Sequence, residues 1–121
     1  MLISHIDTLL LVEDDPDHAH LIIEVLQNEG GLRNRIIWVE NGLEAIHYLY
    51  QEDGYERGNA PKPGLILLDI KMPELDGFEV LRKIKSDPDL RTIPVVMLTT
   101  TQNREDVSLA LCLGANDYIV K

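Results

Sequence analysis

No apolar run in the 121 residues approaches the roughly 18 that a membrane-spanning helix requires. The N-terminus, MLISHIDT, has no basic segment leading into an apolar one, so a secretory signal is not indicated either. Basic charge is scarce: 11 Lys and Arg stand against 21 Asp and Glu, for a net charge of −10. Such a chain repels phosphate backbones and anionic lipid, which argues against direct binding of nucleic acid or of a membrane surface. The single cysteine, Cys112, cannot form an internal disulfide and reads as a packing residue in a leucine-rich helical stretch. His5, His18, His20 and His47 show none of the spacing of a zinc site, and His18 and His20 are expected on solvated helix faces. Repeats and low-complexity tracts are lacking. The expectation is a cytoplasmic protein of one domain, 45% apolar, long enough to bury a core and too short for two.

What the sequence does contain is alternation. Five short apolar runs, TLLLVE (8–13), RIIWVE (35–40), GLILLD (64–69), PVVMLT (94–99) and DYIV (117–120), are separated by amphipathic segments. Each run is too short for a helix and rich in Val, Ile and Leu at odd and even positions alike, as expected of parallel strands buried on both faces. Between them the spacing predicts helices, and hence an α/β fold with a doubly wound parallel sheet. The first helix carries Ala19, Ile22, Ile23 and Leu26, with Asp15 as N-cap, Pro16 at its first position and Gly30 and Gly31 at its close. The second follows Asn41, with Glu44 three residues on, and buries Ala45, Ile46 and Leu49. The third begins at Asp76, with Glu79 matching, and turns Val80, Leu81 and Ile84 inward. Asn103 and Asp106 open the fourth, which directs Val107, Ala110 and Leu111 to the sheet and ends at Gly114. Leu109 and Leu113 lie off that stripe, either partly buried or forming a partner surface. The polar segment 51–63, QEDGYERGNAPKP, is longer than a usual helix-to-strand connection and reads as a mobile surface loop or a binding element.

In an open parallel sheet, ligands bind beyond the carboxyl ends of the strands. Four of the five runs deliver polar groups to that rim: Glu13 and Asp14 where the first ends, Asp69 at the end of the third, Thr99 and Thr100 where the fourth ends, and Lys121 after the fifth. Two carboxylates about 4 Å apart repel by roughly 4 kcal/mol at an effective dielectric near 20. Three such pairs rival a domain's net stability of about 5–15 kcal/mol, so a counter-charge is needed among them. An all-oxygen set suits Mg²⁺ better than zinc, and Lys121 adds a second cation from the opposite side. A metal between carboxylates invites phosphate. Asp69, on the central strand and already ionised, is the best-placed nucleophile, and its product would be a labile acyl phosphate suited to a reversible signal.

At these residues the sequence resembles the receiver domain of two-component response regulators. LLLVEDD, LLDIKMPELDG, PVVMLTT and GANDYIVK carry the resemblance, in that order and over the whole chain. The resemblance implies a flavodoxin-like five-stranded sheet in the order 2-1-3-4-5 and a Mg²⁺ site from Glu13, Asp14, Asp69 and the backbone carbonyl of Lys71. It further implies phosphorylation of Asp69 by a histidine kinase, with the Thr99 hydroxyl on the phosphoryl group and Lys121 paired with it. Tyr118 would be an aromatic ring that swings inward when Thr99 is drawn to the phosphate. Pro73 and Gly77 match the turn after the phosphorylated strand, and Lys71 and Thr101 hold positions that tune loss of the phosphate. Trp38 and Met72 are read as packing. The long 51–63 loop and KSDPDLRTIPVVMLTTT resemble small stand-alone regulators of phytochrome-type histidine kinases, whose output would be a protein target or a homodimer.

Receiver domains continue past the lysine with a proline and a fifth helix, whereas this sequence stops at Lys121. The expectation is a single receiver domain over 1–121, truncated after strand five, or one whose sheet face a neighbouring subunit completes. An enzyme, a Mg²⁺-dependent phosphatase with an aspartyl nucleophile, is the rival reading. That chemistry uses a second Asp two residues beyond the nucleophile, where this chain has Lys71. A degenerate receiver acting only as an interaction module is disfavoured because every expected site residue is present.

Overall fold

A computed structural model describes residues 8–28, 35–52, 61–70, 72, 75–99 and 104–120. Five strands, β1 (Thr8–Val12), β2 (Arg35–Val39), β3 (Leu65–Asp69), β4 (Val95–Thr99) and β5 (Asp117–Val120), alternate with four helices, α1 (Pro16–Asn28), α2 (Gly42–Leu49), α3 (Gly77–Ser86) and α4 (Arg104–Cys112). The strands form one parallel sheet in the order β2-β1-β3-β4-β5. This is the doubly wound parallel sheet expected from the apolar runs, in the flavodoxin-like strand order that the resemblance to receiver domains implied.

Burial follows position in the sheet. Every residue of β1 and β3 is buried, because both are interior strands with helices over both faces. β2 and β5 lie at the edges and are only partly covered, so the expectation of two-sided burial holds for the interior strands and not for these. Alternation divides the core in two. Leu10, Val12, Ile66, Leu68, Val95 and Met97 meet α2, α3 and α4 through Ala45, Tyr48, Val80, Leu81, Ile84 and Ala110. Leu9, Leu11, Leu65, Leu67 and Leu98 face the other way, onto Ala19, Ile22, Ile23 and Leu26 of α1. Each fully buried leucine contributes about 1.5–3 kcal/mol.

The helix starts behave as their sequences indicate. Asp15 accepts from the Asp17 N–H at 2.9 Å, Asn41 from the Glu44 N–H at 2.8 Å and Asp76 from the Glu79 N–H at 3.0 Å. Gly30, Gly31 and Asn103 lie outside the described residues. In α4 the predicted stripe is rotated: Ala110 is buried and Val107 half-buried, but Leu111 is 46% exposed. Leu113 packs against the core instead, while Leu109 is exposed. Cys112, read as packing, is exposed as well. Ala110 is the one buried residue among those described in α4, and it joins the core shared with α2 and α3.

The 51–63 segment is described only at its ends. Its return is fastened by the buried Tyr48, whose hydroxyl donates to the Pro61 carbonyl at 2.8 Å, and by Gly64, whose N–H donates to the Thr8 carbonyl at 2.8 Å. Lys62 Nζ also reaches the Asp89 carbonyl.

Candidate functional site

The carboxyl edge of the sheet brings together three acids distant in sequence. Glu13 stands one residue beyond β1, its N–H still donating to the Val39 carbonyl of β2 at 3.1 Å, so the ladder outlasts the strand by one bond. Asp14 follows, exposed to solvent. Asp69 ends β3, which pairs directly with β1, and is 4% exposed; Glu13 is 0% exposed. One carboxylate oxygen from each of Glu13, Asp14 and Asp69 lies within 4.8 Å of the other two.

This spacing fits a hydrated divalent cation. Metal–oxygen distances of about 2.1 Å for Mg²⁺ and about 2.3–2.6 Å for Ca²⁺ place ligands on opposite sides of one ion about 4.2–5.2 Å apart. The donors are all oxygen, two buried and one open to water, so a cation could keep part of its hydration shell on the Asp14 side. Lys71 and Lys121 lie outside the described residues, as do Pro73, Thr100 and Thr101.

Around the trio the other sequence-predicted residues take distinct places. Thr99 ends β4 and is buried; its neighbour Leu98 is the register partner of Asp69, and the Ile70 N–H donates to the Leu98 carbonyl at 3.0 Å. Tyr118, on the edge strand β5, pairs with Met97 and is 39% exposed. Gly77 opens α3 rather than lying in the preceding turn, and its N–H donates to the Ile70 carbonyl at 2.8 Å.

Two residues near the acids escaped sequence reasoning. Trp38, read as packing, donates its indole N–H to the Glu13 carbonyl at 2.9 Å. Its ring also meets His20 of α1 edge-on, with centroids 5.6 Å apart. His18, assigned to a solvated face, sits with Nδ1 3.5 Å from Asp15 Oδ2 and 3.9 Å from Glu13 Oε1. The available signal was positional: Trp38 lies near the carboxyl end of a strand that flanks β1, and His18 is one helical turn from Asp15 and Asp14.

An open parallel α/β sheet with an acidic trio where β1 and β3 end defines a class, and comparison with known proteins gives it a family. The profile of the response regulator receiver domain matches residues 9–121, and the chain belongs to that family. Response regulator Rcp1 of Synechocystis sp. is 44% identical over 113 residues, which span 93% of this chain and 75% of that protein. Among solved structures, the Mn²⁺-bound form of Rcp1 matches with a TM-score of 0.86 at 43% identity, covering 95% of this chain and 81% of the other. The phosphorylated cyanobacterial phytochrome response regulator RcpA matches with a TM-score of 0.86 at 44% identity, covering 95% and 80%. Receiver domains are phosphorylated signalling switches that bind a divalent metal and are served by histidine kinases. This chain is a switch of that kind rather than an enzyme. No helix among the described residues is long and apolar enough to cross a membrane.

Proposed function

We propose that residues 1–121 act as one receiver unit in which Asp69 accepts a phosphoryl group from a histidine kinase of the phytochrome type, with Mg²⁺ as the cation. The observation that carries this reading is the gathering of Glu13, Asp14 and Asp69 within 4.8 Å in a chain that matches the receiver profile over residues 9–121. A carboxylate oxygen of Asp69 attacks phosphorus; the new O–P bond forms as the P–N bond to the kinase imidazole breaks, and the imidazole leaves with the bonding pair. Glu13, Asp14, Asp69 and the Lys71 carbonyl would hold the cation, which when bound supplies positive charge to the carboxylates and to the phosphoryl oxygens. Burial of Asp69 and Thr99 keeps bulk water from the nucleophile and favours a Thr99 hydroxyl donating to the transferred group. Lys121 is assigned as the cationic partner of that group, and Tyr118, half-exposed before the change, as the ring that moves inward after it. The resulting surface would be read in the cytoplasm by another protein or by a second copy of the chain.

Acetyl phosphate and Mg²⁺ test this directly. Intact mass should show one added phosphoryl group on the wild-type chain and none on Asp69→Asn. Catalytic turnover of small phosphate esters, or a phosphoryl group retained in Asp69→Asn, would refute it.

A further inference from the structure

We propose that Trp38 is a positioning residue for the cation site: its indole N–H sets the peptide from which both Glu13 and Asp14 project. The inference rests on the acidic trio being a cation site and goes beyond it by assigning a role to a residue that bears no ligand atom.

The geometry is specific. The Glu13 carbonyl and the Asp14 N–H belong to one planar peptide unit, so fixing that carbonyl fixes the plane linking the two carboxylate-bearing residues. Trp38 Nε1 holds the carbonyl at 2.9 Å, and the next residue of β2, Val39, accepts from the Glu13 N–H at 3.1 Å. Both main-chain polar groups of Glu13 are therefore gripped by the last two residues of one neighbouring strand. The indole is itself held, partly buried against the α1-side core with His20 at its edge. Without a cation, three carboxylates this close repel, and any free rotation of the 13–14 peptide would let them separate. The cation would then have to gather them again, at the expense of its affinity. Trp38 removes that freedom beforehand.

Two substitutions distinguish a donor from a packing residue. Trp38→Phe keeps an apolar ring and loses the N–H. Trp38→His keeps a ring nitrogen at a corresponding place, two bonds from the ring attachment, but buries less apolar area. If Trp38 only packs, His is the worse replacement; if it positions, Phe is.

The experiment titrates the 121-residue chain with Mn²⁺ at about pH 8, where imidazole is neutral, and reads free Mn²⁺ by electron paramagnetic resonance. Loss of one such hydrogen bond predicts an affinity about fivefold weaker for Trp38→Phe, with Trp38→His intermediate between it and the wild type. Equal affinity in all three, or Trp38→His weaker than Trp38→Phe, would overturn the proposal while leaving the phosphorylation reading intact. A wild-type chain that binds no Mn²⁺ would bring down the cation site and this inference together. Should the variants not fold, the wild type still decides. The indole N–H of its single tryptophan should be protected from exchange and shift in the NMR spectrum on adding Mg²⁺; a rapidly exchanging, unmoved signal would refute the role.

Discussion

Gly77 presses against the backbone of Asp69 so closely that a β-carbon on it would lie 2.2 Å from the Asp69 carbonyl oxygen and 2.8 Å from the Ile70 α-carbon. Both contacts are main chain and cannot swing aside. In an ordinary helical position, Gly→Ala stabilises by about 1 kcal/mol. Here the sign reverses, and Gly77→Ala is expected to cost about 1–3 kcal/mol, the usual range for overpacking. Urea denaturation reads this as a lowered midpoint at unchanged slope. The same displacement would shift Asp69, so phosphoryl uptake from acetyl phosphate should slow as well. An unchanged or raised midpoint would count against the close packing.

Asp14 is the exposed member of the trio, and removing it deletes two of the three repulsive pairs. In EDTA, Asp14→Ala should melt above the wild type by about 2–5 °C, since 1 kcal/mol moves a domain of this size by about 4 °C and solvent screens part of the repulsion. Adding Mg²⁺ should raise the wild-type midpoint through binding to the folded state and raise the variant's less. A lower midpoint for the variant in EDTA would mean that the acids are not in conflict.

Tyr48 ties stability to alkaline pH. Burial pushes its phenol up from the ordinary tyrosine value, with the Arg35 charge opposing. The folded chain therefore holds this proton more tightly than the unfolded chain. That contribution is complete below about pH 10, the unfolded value, and is lost as pH rises through the folded one. Burial pushes Tyr50 in the same direction, assisted by Asp87, whereas the Lys85 amine is pushed down by burial and its penalty fades as pH rises. Comparison with Tyr48→Phe isolates the first effect. At neutral pH the variant should be less stable by about 1 kcal/mol, having lost the donor to the Pro61 carbonyl. Denaturant titrations should show that difference shrinking above about pH 10. A constant difference would refute the linkage.

Much of the scaffold was legible in the residues. The apolar runs gave each strand to within a residue of its ends, and Asn41 and Asp76 marked the helix starts because a cap is a contact three residues long. α4 was less legible. Leu109, Ala110 and Leu111 in its last turn and Leu113 just beyond it spread apolar residues around the axis, so no one face is marked for burial. The rotation that turns Ala110 inward and Leu111 outward follows the core that Ala110 and Leu113 join, not the helix's own pattern. Trp38 was harder still, since its partner, the Glu13 carbonyl, lies 25 residues away and is a backbone atom that any residue would offer.

The sequence by itself determined that acids, a threonine and a lysine would stand where the apolar runs end, because which residue closes a strand is fixed by its place along the chain. Only the tertiary structure decided that Glu13, Asp14 and Asp69 share one place. The order β2-β1-β3 sets the first and third strands side by side, and neighbouring strands lie about 4.8 Å apart. The same order puts the edge strand's Trp38 against Glu13, so contacts between strands, which no local pattern encodes, turn scattered charges into a site.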